Sequence, residues 1–373
     1  MSLVLYGSRL DSIRMAQALE HLFDTNLKRQ EAGQTGVPIC IWGTHGLGKT
    51  ASVKAFAKKR GWKLAYCAPA QFEEMGDLHG LPTRVDPDPK VHGDERTVFL
   101  PPEWVPTEEG PGILMIDDMN RADDRILRGL MQLLQEFEMF SWKLPHKWQI
   151  VCTCNPEGGD YGVTPMDDAM ITRMLHLTLV FDVKAWAAWA EEAGVDPRGI
   201  AFVLAYPELL NDRRTTPRSL TQFFEQIQHI PDLVQQLDLV QVLANSALDE
   251  ATVGAFLSFA QQDVARLISP EEVLEAEDFA VPAARIKETA TAKGGGRRMD
   301  VLSILCTRMH LYVARKSYTP GPRHAKNLVE FLLHPLLPND LRFALHRDLV
   351  ALGPKVSELL RDKRLAEIVL KGM

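Results

Sequence analysis

The sequence predicts an α/β fold: a parallel sheet flanked by helices over residues 1–182, followed by an all-α region read as two parts, 183–292 and 293–373. Three observations carry this. Short apolar runs alternate with amphipathic segments as far as Asp182, the pattern of buried parallel strands joined by crossover helices. A glycine-rich octapeptide, residues 43–50, sits between one such run and the helix after it. Beyond Asp182 the apolar period becomes helical and strand-like runs disappear.

The elements follow in chain order. From Asp11 to Gln30, Ile13, Met15, Ala16, Leu19, Leu22 and Phe23 recur at three- and four-residue spacing, which predicts a helix. Residues 33–36 are a turn, and Val37–Trp42 is a buried strand. Ala51–Arg60 is a helix closed by Gly61, and Lys63–Cys67 is a second strand. Residues 81–106, rich in Pro, Gly and charge, contain a hairpin with Thr97–Leu100 as one arm. Gly112–Ile116 is a fully apolar strand. Ala122–Phe137 is a helix with Ile126, Leu127, Leu130, Leu133 and Leu134 on one face, and a hairpin follows at 139–148. Strands are expected at Gln149–Thr153 and Leu175–Phe181. Helices are expected at 183–193, 217–228, 233–244, 250–260 and 270–274, and from 299 to 373 with breaks at Pro320, Pro322, Pro335, Pro338 and Pro354. The segment 293–298, KGGGRR, is the linker between the two helical parts.

Composition excludes several classes. With 373 residues, 46% of them hydrophobic, the chain can bury a sizeable core, so wholesale disorder and collagen-like repeats are ruled out. No apolar run approaches the roughly 18 residues of a membrane helix. The first ten residues lack a basic region followed by an apolar stretch. Cys40, Cys67, Cys152, Cys154 and Cys306 are odd in number and scattered, which argues against a disulfide framework and for a cytoplasmic protein. The net charge of −7 argues against bulk coating of nucleic acid. The charge is uneven: residues 301–373 carry twelve Lys and Arg against six Asp and Glu, a basic tail on an acidic body.

The octapeptide Gly43-Thr44-His45-Gly46-Leu47-Gly48-Lys49-Thr50 satisfies G-x-x-x-x-G-K-S/T. Glycines let the backbone curl so that successive N–H groups point at phosphate oxygens, and the following helix, entered at Ala51, presents its positive end. Lys49 can reach the β and γ phosphates, and the Thr50 hydroxyl can ligate Mg²⁺. Residues 46–51 also fit a dinucleotide G-x-G-x-x-A pattern, but the Lys-Thr pair favours the phosphate loop. The strand Ile113–Ile116 delivers Asp117 and Asp118 at its C-terminal end, the edge where ligands of open α/β sheets sit. Asp117 would hold Mg²⁺ and Asp118 would polarise an attacking water. Asn155 ends the next apolar strand, where its amide could fix that water or the γ-phosphate. Thr216-Pro217-Arg218 opens a helix with a cation in its first turn, against the dipole, an arrangement that a nearby anion would relieve. Arg173 precedes the strand at 175.

Together these residues resemble the AAA+ ATPases, a P-loop NTPase class, and within them the MoxR-like group, over about residues 1–275. GTHGLGKT (43–50), ILMIDDMNRA (113–122), VCTCNP (151–156), DDAMITR (167–173) and TTPRSL (215–220) stand in the family's order. The resemblance implies Walker A roles for Lys49 and Thr50, the Walker B metal role for Asp117, sensor 1 for Asn155, and sensor 2 for Arg218, acting from a helical lid. Arg173 matches the arginine finger that reaches the neighbouring subunit's nucleotide. The resemblance further implies ATP and Mg²⁺ as cofactors, a homo-oligomeric ring, hexameric in such proteins, and a protein client, a von Willebrand factor A-type domain protein in the MoxR group. The segment 83–100 looks like the helix-2 insert and 138–149 like the pre-sensor-1 hairpin, both of which face the pore. Two departures stand out: Walker B ends Asp117-Asp118 where Asp-Glu is usual, and the finger reads Thr172-Arg173-Met174 rather than Asp-Arg-Phe.

Other patterns are set aside. His346-Arg347-Asp348-Leu349 mimics a kinase catalytic loop, but position 353 is Gly and no D-F-G follows, so a helix surface is expected. Cys152 and Cys154, at i and i+2 of a buried strand, read as core rather than metal ligands. His45 is expected to be exposed, and Trp186 and Trp189 to be lid core. The expected activity is ATP hydrolysis coupled to remodelling or assembly of a protein partner. Two rivals are a nucleic-acid motor or loader, supported by the basic tail alone, and an ATP-gated scaffold with weak turnover, suggested by Asp118.

Overall fold

The computed structural model describes all residues except 1–2, 87–94, 159–160, 212–213, 262–266, 293 and 372–373. The middle of the proposed 83–100 insert and Lys293, first residue of the proposed linker, therefore lie outside the described residues. The chain divides into two compact units, Met1–Asp182 and Val183–Met373.

The first unit is the predicted parallel sheet with helices on both faces. Its strands are β1 (Ser8–Leu10), β2 (Ile39–Trp42), β3 (Lys63–Cys67), β6 (Gly112–Ile116), β9 (Trp148–Cys154) and β10 (Leu175–Leu179), ordered β1-β10-β2-β9-β6-β3 and all parallel. Two antiparallel hairpins lie outside it, β4 (Leu81–Val85) with β5 (Arg96–Leu100) and β7 (Glu138–Met139) with β8 (Trp142–Lys143). The helices are α1 (Ser12–Glu31), α2 (Lys49–Arg60), α3 (Met75–His79), α4 (Asp124–Glu136) and α5 (Asp168–Ile171).

Strand alternation builds a core on each face. Ile39 and Ile41 of β2 and Ile113 and Met115 of β6 pack with Met15, Leu19 and Phe23 of α1 and Val53, Phe56 and Ala57 of α2. Cys40 and Trp42, with Leu114 and Ile116, face the other way, against Ile126, Leu127, Leu130, Leu133 and Leu134 of α4. Those five α4 side chains are fully buried or nearly so, each stabilising the unit by about 1.5–3 kcal/mol. Asp11 caps α1, accepting from the N–H groups of Ile13 and Arg14, and Asp123 caps α4, accepting from Ile126. With the central strands covered on both faces, their C-terminal ends and the loops that follow are where a ligand of such a sheet sits.

The second unit is all-helical: α6 (Val183–Ala193), α7 (Pro197–Ala205), α8 (Pro217–Ile227), α9 (Leu237–Ala247), α10 (Glu250–Ala260), α11 (Pro270–Glu275), α12 (Ala280–Ala290), α13 (Met299–Val313), α14 (His324–Leu332), α15 (Asn339–Val350), α16 (Pro354–Leu359) and α17 (Lys363–Lys371). Phe202, Phe223, Phe224, Phe256 and Phe259 form an aromatic core with ring centroids 4.8–6.2 Å apart. Helices on either side of residues 293–298 are tied together: Glu191 of α6, buried, pairs with buried Arg308 of α13 at 3.3 Å and with Arg315.

Several expectations shift. β1, α3, α5, α7 and α12 have no counterpart among the elements expected from the sequence. α9 runs from Leu237 to Ala247, starting four and ending three residues later than expected. Trp186 is buried as lid core should be, but Trp189 is half exposed, because α6 turns its 189 position outward. The kinase-like tetrapeptide lies within α15, with Arg347 and Asp348 on its surface. No described helix is long and apolar enough to cross a membrane.

Candidate functional site

The octapeptide forms the loop between β2 and α2, where its glycines are geometrically required. Gly48 occupies the N-cap of α2 at φ +89°, a left-handed conformation that costs L side chains energy. At Gly43 a Cβ would lie 2.8 Å from the Leu179 carbonyl oxygen. No side chain caps α2, and no acidic residue sits in its first turn. The helix thus presents its positive end to the loop, the arrangement that suits a phosphate. His45 is exposed and contacts the Tyr161 ring, with centroids 5.9 Å apart.

Lys49 is buried, and its ammonium folds back over the loop. It donates to the Gly43 carbonyl at 2.7 Å, the Thr44 carbonyl at 3.2 Å and Asn155 Oδ1 at 3.0 Å. Beside it, Thr50 Oγ1 donates to Asp117 Oδ1 at 2.8 Å. Asn155 Nδ2 donates to Asp118 Oδ1 at 3.0 Å. The sheet order explains this meeting: β2, β9 and β6 are consecutive neighbours, so the loop after β2, Asn155 after β9 and the Asp pair after β6 emerge side by side at one edge.

Asp118 stands at φ 48°, ψ 43°, left-handed for a residue other than glycine, which costs of order 1–3 kcal/mol. It is held there by its own N–H donating to Thr153 Oγ1 at 2.8 Å, by Asn155 and by Arg121, whose Nε lies 3.4 Å from Oδ2.

Four residues not singled out from the sequence join the site. Thr153 donates to Asp117 Oδ1 at 2.6 Å as well as accepting from Asp118. Tyr66, at the end of β3, donates to Asp117 Oδ2 at 3.1 Å. Burial and the adjacent Asp117 carboxylate push its phenol up to about 12, so it stays a donor across the neutral range. Arg121 pairs with Asp118 as above. Asn120, fully buried, brackets the Asn155 backbone: its Nδ2 donates to the Asn155 carbonyl at 2.7 Å, and its Oδ1 accepts from the Asn155 N–H at 3.0 Å. Thr153, the lone hydroxyl in a strand whose other residues are apolar except Gln149, was the one available signal; the others depend on long-range register.

Replacing Asn120 with Ala leaves two buried backbone groups unpaired. The expected destabilisation is about 1–3 kcal/mol for each group left without a partner, read from urea unfolding, with Leu-for-Ile changes in the core as a scale.

Of the other two candidates, Arg173 belongs to the first unit and Arg218 to the second. Arg173 follows α5, and its guanidinium is engaged by Gln135 Oε1 at 3.0 Å and by the Ala169 carbonyl, not by the phosphate loop. Arg218, in the second unit, is exposed in the first turn of α8 and has no hydrogen-bond or ion-pair partner among the described residues. Thr216 caps that helix, with Ser219 completing a capping box.

The donor set fits a magnesium nucleotide. A hydroxyl and a carboxylate already hydrogen-bonded to each other offer the few hard oxygen ligands that Mg²⁺ accepts from protein, and a lysine ammonium sits over an uncapped helix start. Cys40, Cys152 and Cys154 are buried within the sheet; burial pushes the Cys40 and Cys152 thiols well up, and no cluster of three or more His, Cys, Asp or Glu suited to a metal occurs among the described residues. A groove of about 720 Å³ runs along β3, lined by Lys63, Tyr66, Phe72, Trp104 and Glu108 among others; the phosphate loop does not line it.

No family model matches the chain. Among solved structures, it is similar to a point variant of Thermotoga maritima RuvB, at 14% identity and TM-score 0.37 over 84% of this chain and 95% of that one. It is also similar to the Thermotoga maritima RuvB Holliday junction branch migration motor, at 16% identity and TM-score 0.35 over 69% of this chain and 74% of that one.

Proposed function

We propose that this chain is an AAA+ ATPase of the MoxR-like kind, which binds Mg·ATP at the β2–α2 loop and couples its hydrolysis to remodelling or assembly of a protein partner. The observation that carries the reading is the meeting of Lys49, Thr50, Asp117, Asp118 and Asn155 at one edge of the parallel sheet. Lys49 would turn from the loop carbonyls to the β and γ phosphates. Thr50 and Asp117 would hold Mg²⁺, which, when bound, neutralises charge on those phosphates. Asp118, aimed by Asn155, would accept the proton of the attacking water. Residues 183–292 are read as a lid carrying Arg218, and 293–373 as a C-terminal helical domain.

The reading includes a ring, hexameric by resemblance, in which Arg173 leaves Gln135 and serves a neighbour's site. A mixing experiment tests it. Lys49→Ala and Arg173→Ala chains, each inactive alone, are expected to regain part of the ATP turnover when mixed, because one supplies an intact loop and the other an intact finger. Absence of any recovery across mixing ratios, with both proteins folded, would remove the trans arrangement.

One observation favours a second reading, a nucleotide-gated scaffold. Asp118 is one methylene shorter than glutamate, and its carboxylate is already occupied by Asn155 and Arg121. If slow turnover follows from that short reach, Asp118→Glu should raise kcat by about 10-fold or more, the scale of a well-placed general base. An unchanged or lower kcat in a steady-state assay would count against the scaffold reading.

A further inference from the structure

The carboxylate of Asp117 is held by three hydroxyls, those of Thr50, Thr153 and Tyr66, and the sheet register explains the third. Tyr66 of β3 pairs with Met115 of β6, and Asp117 lies two residues further along, so the phenol and the carboxylate share a side of the sheet. The backbone closes the same corner, with the Asp117 N–H donating to the Cys67 carbonyl at 2.8 Å. Thr50 and Thr153 both donate to Oδ1, and among the described residues Tyr66 alone donates to Oδ2, at 3.1 Å. Two donors on one oxygen leave the carboxylate plane free to turn; a third on the other oxygen fixes it.

Tyr66 is itself positioned. It stands at the C-terminal end of an edge strand and is 45% exposed, so water could satisfy its hydroxyl, yet the hydroxyl turns inward to the carboxylate. Its ring is covered by the Lys54 ammonium, 5.3 Å from the centroid, one helical turn beyond Thr50 on α2. Tyr66 thus links β3, β6 and α2 at the point where the metal carboxylate is aimed.

We propose that Tyr66 is a positioning residue for the Mg²⁺ site, holding the Asp117 carboxylate in the orientation that receives the metal, an inference that rests on the metal role proposed for Asp117. Residues one step behind a metal ligand orient it and tune affinity for the metal. The consequence is specific to Mg²⁺: nucleotide contacts made by the loop and Lys49 do not pass through Tyr66.

The test uses the full chain, a ribose-labelled fluorescent ATP analogue and three proteins: wild type, Tyr66→Phe and Tyr66→Leu. Phe keeps the ring beneath Lys54 and removes only the hydroxyl; Leu removes both. Analogue affinity is measured in EDTA and then across a MgCl₂ titration, with Mn²⁺ binding by electron paramagnetic resonance as an independent readout. Both variants should keep the wild-type affinity in EDTA, while their Mg²⁺ and Mn²⁺ midpoints rise by about 10-fold, the lower end of what loss of a supporting residue costs a metal site. A Tyr66→Phe midpoint equal to wild type, in a wild type whose binding responds to Mg²⁺, would overturn the role of Tyr66 alone. A wild type whose analogue binding is indifferent to Mg²⁺ would overturn the metal role of Asp117, and the proposal with it.

Discussion

Lys49→Ala is expected to abolish ATP turnover, reducing kcat by about 10²–10³-fold, the cost of removing one preorganised charge donor from a site where negative charge accumulates. The structure gives the reason for so large an effect. The Lys49 ammonium bridges the loop carbonyls of Gly43 and Thr44 to Asn155, and through Asn155 it is coupled to Asp118. Its removal costs the phosphates their cation and leaves Asn155 Oδ1 without that donor. The check is a steady-state phosphate-release assay, with a thermal melt to show that the variant is folded. A Lys49→Ala protein that turns over ATP at the wild-type rate would mean the chemistry lies elsewhere.

Asp117→Asn should be nearly as severe but different in kind. Asn has almost the same shape, so it can still accept from Thr50 and Thr153 through Oδ1, and its amide can donate to the Tyr66 phenol oxygen. The fold should therefore survive, while the negative charge that attracts Mg²⁺ is lost. Turnover is expected to fall by about 100-fold or more, the scale of a metal's electrostatic contribution, while nucleotide binding in EDTA is kept. Measuring turnover against Mg²⁺ concentration separates this from Lys49→Ala, which should weaken nucleotide binding with and without the metal.

The sequence made the central sheet legible because its strands are short, continuous and apolar, and both faces are buried. What escaped did so for identifiable reasons. β1 has three residues, too few for any period to show. α7 begins Pro197-Arg198-Gly199 and α12 begins Ala280-Val281-Pro282, and these residues read as breakers. Each proline in fact lies in the first turn, where its missing N–H has no intrahelical partner to lose. Gly199 is needed because a Cβ there would lie 2.4 Å from the Phe224 ring.

Within the site, the residues that could be read were those whose motif is local. Lys49 and Thr50 are fixed by the loop they end, and Asp117 and Asp118 by the strand they follow. Tyr66, Asn120 and Thr153 act through contacts 35 to 51 residues away in sequence, and only the order of β9, β6 and β3 brings those contacts about. Arg173 shows the reverse: its motif is local, but within its own chain the side chain is occupied by Gln135 and Ala169.

The central claim is that this chain turns over ATP as a magnesium-dependent assembly. The most direct measurement is phosphate release by the purified wild-type protein, with oligomer mass recorded by light scattering in the presence and absence of Mg·ATP. Mg²⁺-dependent turnover together with a rise in mass when Mg·ATP is added is the expected result. Neither turnover nor any change in mass at saturating Mg·ATP would contradict it.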